Sequence, residues 1–133
     1  EQLDRTSSLM DMAVPDGVVT DYESLVNSLQ LPDADDRHVL AAAIKCNASV
    51  IVTFNLKDFP KATLAPFNIE PLHPDNFIVD LWDLDQAAVL KAAQRQRASL
   101  KKPPHNARLY LDKLLQQKLP ETVKLLGRFE FLI

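Results

Sequence analysis

The run Asp33-Ala34-Asp35-Asp36-Arg37-His38 gathers carboxylates at close spacing, and Asn55 and Asp58 follow a short apolar segment further along the chain. Oxygen donors of this kind suit a hard divalent ion such as Mg²⁺. Such an ion binds through a few carboxylates, keeps several waters and takes its other ligands from substrate phosphate. It acidifies a bound water and stabilises charge on phosphoryl oxygens. Crowded carboxylates repel one another, and a cation relieves that repulsion. Asp36, Val39 or Leu40, and Ala43 are spaced i, i+3/i+4, i+7. Asp36 therefore shares a helix face with packing residues and is expected to project into the mouth of a sheet. Asp35 lies about 100° round the same helix, as a second ligand or a cap. The metal ligands on this reading are Asp36, Asp35 and Asp58. The same acids also suit a helix start with no chemical task, because the macrodipole favours negative charge there and Asp33 or Asp35 caps well. A calcium-binding EF-hand loop is excluded, since its glycine and closing glutamate are missing.

Cations form the second group. Lys57, between Asn55 and Asp58, is placed to meet a phosphate. From Gln86 to Leu111 there is no acid, against six bases: Lys91, Arg95, Arg97, Lys101, Lys102 and Arg108. Lys91 and Arg95 are i, i+4, Arg95 and Lys102 are i, i+7, and Arg97 and Lys101 form an adjoining line. A stripe of this sort gives RNA a salt-sensitive, sequence-independent grip. It equally suits a solvated helix face, with Val89, Leu90, Ala93 and Leu100 packed inward. His38 reads as a surface histidine, Arg37 as an ion-pair partner, Cys46 as a small helical residue, and Trp82, on one face with Ile78, as core.

Elements must bring these groups together. Leu3, Leu9, Met10 and Ala13 trace a loose helical stripe, Pro15-Asp16-Gly17 a turn, and Val18-Val19-Thr20 a short strand. Leu25, Val26 and Leu29 suggest a brief helix before Pro32. Residues 33–48 predict the clearest helix, with acids at its start followed by an alanine run. Val50–Phe54 predicts a strand buried on both faces. A helical turn at 62–64, a weak strand at 69–72 and a helix opened by Pro74-Asp75 follow. The alternation is that of an α/β unit with a parallel sheet, where sites form beyond the carboxyl ends of the strands. Residues 85–102, 105–118 and 120–131 predict helices separated by Pro103-Pro104 and Pro120. The boundary between the two kinds of chain falls near residues 83–85.

Composition narrows the classes. The chain has 133 residues, 47% hydrophobic and 25% charged, which supports a core and argues against whole-chain disorder. Residues 1–82 hold 13 acids and 5 bases, whereas residues 83–133 hold 5 acids and 10 bases. An acidic front and a basic back suit a metal site beside a polyanion surface, or two halves that attract each other. With two glycines there is no Gly-rich phosphate loop. No stretch reaches the roughly 20 apolar residues of a membrane helix. One cysteine permits no internal disulfide, so the reducing cytoplasm is the default expectation.

The segment LPDADDRHVLAAAIKCNASVIVTFNLKDFP, residues 31–60, resembles the central part of PIN-domain proteins of the VapC-like toxin type. An acid precedes an aliphatic-alanine helix, and a buried strand ends in Thr-x-Asn-x-x-Asp-Phe. The resemblance implies a PIN-like α/β/α fold with a parallel sheet, partial over residues 1–82, and a helical C-terminal extension over residues 83–133. It implies a Mg²⁺- or Mn²⁺-dependent endoribonuclease of a toxin–antitoxin system, held in check by a small antitoxin protein. In that family acids from four places converge on the metal. The third matches Asp36, with Asp35 beside it; Asn55 occupies the fourth, Asp58 is the nearby carboxylate, and Thr53 matches a neighbouring hydroxyl. The first two acids, and the central strand that carries one of them, would precede Glu1. The resemblance therefore implies a truncated chain, or one completed by a second chain or a homo-oligomer that supplies the strand. Asp36, Asp58, Asn55 and Thr53 are the expected catalytic set. The alternative is a non-catalytic or degenerate PIN module that oligomerises or binds an antitoxin.

Overall fold

A computed structural model describes residues 17–133 of the chain. The chain is mixed α/β and mostly helical, with a small parallel two-stranded sheet. The elements run α1 (Glu23–Val26), α2 (Arg37–Lys45), β1 (Val50–Val52), α3 (Lys61–Leu64), β2 (Glu70–Leu72), α4 (Pro74–Leu84), α5 (Gln86–Ser99), α6 (Ala107–Gln116) and α7 (Pro120–Gly127). They fall into two compact units, one comprising the chain up to Ile51 with Asn55–Pro71, the other Val52–Phe54 with Leu72–Ile133. The helix that spans the boundary expected near residue 83, α4, lies wholly in the second unit. The expected helical stripe at residues 2–13 lies outside the described residues, as do Pro15 and Asp16.

In the first unit the acidic run starts a helix as its composition requires. The Asp33 carboxylate accepts the Asp35 N–H at 2.9 Å, capping a 3-10 turn at Ala34–Asp36 that leads into α2. Leu40, Ala41 and Ala43 are the buried face of α2, and Asn47, in the left-handed region at φ 56°, follows its end. The core comprises Leu29, Leu40, Ala41, Ala43, Ile51, Phe59, Leu64 and Ile69. Truncating the fully buried Leu40 to alanine should cost about 2–5 kcal/mol.

Two expectations for this unit are corrected. Val18–Thr20 forms no strand, because none of the described strands pairs with it. The apolar run at 50–54 is strand over Val50–Val52, and it is not buried on both faces. Ile51 is buried, while Val52 is 43% and Phe54 54% exposed. The reason is the size of the sheet, whose alternation leaves every second side chain on an uncovered face. The Ser49 carbonyl accepts the Glu70 N–H and the Leu72 carbonyl accepts the Thr53 N–H, each at 2.9 Å, the slanted pattern of parallel strands. Pro71 has no N–H to give a ladder, as an edge strand allows.

The second unit is helical. Pro74 opens α4, and His73 caps it by accepting the Asp75 N–H on Nδ1 at 3.0 Å. Asp85 caps α5 and Asn106 caps α6, through the N–H groups of Ala88 and Leu109. The capping of α7 comes from elsewhere, since Leu119 at its start has no side-chain acceptor. The Asp75 carboxylate of α4 accepts the Glu121 N–H at 3.0 Å, the Thr122 N–H at 2.8 Å and the Thr122 hydroxyl at 2.7 Å. Ala93, Tyr110, Leu111, Leu126 and Ile133 form the core, with half-buried Trp82, Val89 and Leu114 packed against it. Trp82 meets the Phe129 ring at 5.8 Å, in keeping with core packing. Helix α5 stops at Ser99, ahead of Pro103-Pro104, so Leu100 lies past its end and is 38% exposed rather than packed inward. No helix among the described residues is long and apolar enough to cross a membrane.

Candidate functional site

Asp36 ends the 3-10 turn and sits at the N-cap of α2, half-buried at the rim of the first core. Asp58 closes a second 3-10 turn, Leu56–Asp58, directly before the buried Phe59, and donates its N–H to the Asn55 carbonyl at 3.0 Å. Anchoring of Leu40 and Phe59 in one core therefore holds both turns in place. The charge of the second stretch reaches the first. The Asp36 carboxyl is held above its ordinary pKa of 3.8, chiefly by desolvation, then by the charges of Asp33 and Asp58 and less by Asp35, while His38 acts the other way. Because the shift is upward, charging Asp36 lowers folded-state stability as pH rises past 3.8, and a cation placed among these carboxylates offsets that.

This yields a direct test of proximity. Asp58→Asn removes one of the charges that raise Asp36, so the Asp36 pKa should move down toward 3.8. Carboxyl NMR titration reads it, and an unmoved Asp36 curve would separate the two turns.

The donor set also bears on which ion could sit here. Among the described residues no group of three or more His, Cys, Asp or Glu side chains is arranged to hold a metal ion. An all-protein cage is therefore not offered by these residues. A hard ion held through one or two carboxylates, with waters and phosphate filling its shell, fits Asp36 and Asp58 in kind and number.

The remaining expected residues are distributed as follows. Asp35 is exposed and its N–H is taken by the Asp33 cap. Arg37 donates Nε to the Ala34 carbonyl at 3.0 Å and so closes the acidic turn. Lys57 is exposed on the Leu56–Asp58 turn. Thr53 belongs to the second unit and donates its N–H to the Leu72 carbonyl there, and Asn55 is exposed. In the second unit Lys91 and Arg95 are exposed on α5, whereas Lys101 and Lys102 lie beyond its end, which breaks the stripe expected from Arg95 to Lys102. Arg97 is half-buried and differs from its neighbours. Its Nε donates to the Ile133 carbonyl and its Nη1 to the His105 carbonyl at 3.1 Å, so its guanidinium ties the chain together instead of facing a polyanion.

Sequence reasoning missed Asp75. An acid in the first turn of a helix looks like a cap of its own helix, and its partners lie 46 and 47 residues away. The Leu119-Pro120 start of α7, with no capping side chain, was the available signal.

The family model described as the VapC50 C-terminal domain matches residues 74–128, which cover α4 to α7. The chain is 37% identical over 114 residues to the protein named "Putative ribonuclease VapC50" of Mycobacterium tuberculosis (strain ATCC 25618 / H37Rv). The match takes in 83% of this chain and 67% of that relative. No solved structure matches. A two-stranded parallel sheet with an acidic helix start, followed by a helical extension, is consistent with a PIN-like nuclease fold. The chain belongs to the VapC-like PIN-domain toxin family.

Proposed function

We propose that the chain works as a metal-dependent endoribonuclease of the VapC-like toxin type, acting on single-stranded RNA and restrained by a small antitoxin protein. The observation that carries this reading is the coupling of Asp36 to Asp58, carboxylates from two separated stretches of chain. Asp36 would be the main ligand of a Mg²⁺ or Mn²⁺ ion, with Asp58 and Asp35 in support. Such an ion supplies an acidified water and neutralises charge on the phosphodiester. The Asn55 amide and the Thr53 hydroxyl would orient water or phosphate. Lys57 would meet an RNA phosphate near the acids, and Lys91 and Arg95, with Lys101 and Lys102, would give the extension its grip on the RNA backbone. The lone, exposed thiol of Cys46 suits a reducing cytoplasm.

The test is cleavage of a labelled single-stranded RNA by the purified chain during a Mg²⁺ and Mn²⁺ titration. Cleavage that appears with metal and stops with chelator supports the reading; its absence across both titrations, with no metal binding, overturns it. A second reading has one observation in its favour, the want of a three-residue metal-holding group among the described residues. On that reading the chain is a non-catalytic PIN module that self-associates or binds an antitoxin, and the same titration separates the two.

The basic surface carries its own expected result. Charge reversal at Lys91 and Arg95 together should lower the slope of log binding against log salt by about 1.4, at ~0.7 per lost single-strand phosphate contact. Arg97→Ala should leave that slope unchanged and lower the unfolding midpoint, because its bonds go to His105 and Ile133. Filter binding over a salt series, beside denaturant unfolding, measures both.

A further inference from the structure

We propose that His73 is a positioning residue for Thr53, the side chain through which α4 and α7 brace the C-terminal end of β1. The role of the Thr53 hydroxyl in this inference rests on the ribonuclease reading above; the bracing stands on contacts within the second unit, which holds every residue concerned. Strand β1 ends at Val52 and β2 at Leu72, so Thr53 and Phe54 run on past the sheet. The Thr53 N–H donates to the Leu72 carbonyl at 2.9 Å, and the Phe54 ring meets the His73 ring at right angles, with centroids 5.2 Å apart. Consecutive residues of one stretch thus hold consecutive residues of the other. Phe54 is 54% exposed and lies outside both buried cores, so burial does not fix its ring. A perpendicular aromatic pair is a preferred geometry and gives it a seat.

The seat is firm because the His73 ring is itself tied. Its Nδ1 accepts the Asp75 N–H at 3.0 Å, which places the ring proton on Nε2 and makes the imidazole neutral. Asp75 is anchored in turn. It is 5% exposed, and its carboxylate accepts from the Glu121 N–H, the Thr122 N–H and the Thr122 hydroxyl at the start of α7. Contacts therefore run from α7 through Asp75 and His73 to Phe54, the neighbour of Thr53. Capping alone does not account for the residue at position 73. Asparagine, aspartate and serine are the favoured caps and carry no ring. Histidine supplies an acceptor and a ring in one side chain, and both are in use here.

The experiment uses the full chain and two substitutions that spare the fold. His73→Asn keeps a cap and removes the ring; Phe54→Leu, at an exposed position, removes the ring's partner. Amide hydrogen exchange followed by NMR should show the Thr53 N–H exchanging at least about tenfold faster in each variant, and hardly faster again in the double variant, since both lose one contact. The unfolding midpoint of His73→Asn should match wild type. Long-range ¹H–¹⁵N spectra of the wild-type ring should show the Nε2–H tautomer. With single-stranded RNA and metal at saturation, the single-turnover rate should fall at least about tenfold in each variant while RNA affinity holds. Wild-type exchange at Thr53 in either variant, additive effects in the double variant, or a proton on Nδ1 overturns the bracing. Faster exchange with an unchanged cleavage rate overturns the positioning role. A wild-type chain that does not cleave at all overturns the ribonuclease reading instead, and Thr53 exchange still decides the bracing.

Discussion

Asp36→Asn should lower metal-dependent RNA cleavage at least about 100-fold, the consequence of losing a few kcal/mol of charge stabilisation at the reacting phosphate. The same substitution should leave the fold intact or slightly more stable. In the protein the Asp36 carboxyl is desolvated and faces the charges of Asp33, Asp58 and Asp35, all of which oppose its ionisation. Removing that charge relieves the repulsion, so activity falls while stability holds or rises. This opposition separates a working carboxylate from a helix-start acid. An acid present only to satisfy the α2 macrodipole would show the reverse, with stability falling and activity unchanged. Asp33→Asn provides the internal control. It keeps a good cap and removes one charge beside Asp36, so cleavage should persist while the acid limb of its pH profile moves to lower pH. Single-turnover cleavage across pH, beside denaturant unfolding, reads both.

Asp75→Ala should destabilise the second unit by about 2–4 kcal/mol, since it leaves buried donors of Thr122 and the Glu121 N–H without their acceptor. Asp75→Asn keeps an oxygen acceptor but loses the charge that complements the N-terminus of α7, and should cost about 1–2 kcal/mol. Trp82 is the sole tryptophan and packs in the same unit, so its fluorescence reports the transition. The pH dependence has a definite sign. Desolvation pushes the Asp75 carboxyl up, but the Thr122 and Glu121 N–H groups, the Thr122 hydroxyl and the nearby His73 outweigh it, and the net shift is down from 3.8. A lowered folded-state pKa contributes stability that is fully present above 3.8 and is lost as pH falls through the depressed value. Wild-type protein should therefore lose stability more steeply below pH 3.8 than Asp75→Asn does. Parallel curves would show that the carboxylate contributes nothing as a charge.

Most local structure was legible before any coordinates. The alanine run of α2, the proline-opened α4 and the helices divided by Pro103-Pro104 are patterns of periodicity and punctuation, and they form close to where those patterns put them. The errors share a cause. Val18–Thr20 has strand composition, but a strand exists only where a neighbouring backbone pairs with it, and burial of the 50–54 run depends on what covers each face of its sheet. Arg97 was read as part of a basic stripe because spacing alone cannot distinguish a cation facing solvent from one satisfied by carbonyls 8 and 36 residues away.

What the sequence determined by itself was the family and the residue types on offer: carboxylates at a helix start, an amide and an acid behind an apolar strand, and a basic helical tail. What tertiary structure alone decided was which of these groups meet. Asp36 senses Asp58 because Leu40 and Phe59 share one core, and α7 borrows its cap from α4 because Asp75 is buried against it. Helix and turn propensities act over a few residues and can be read along the chain. Desolvation and charge coupling act through space, between residues whose separation in sequence says nothing of their distance.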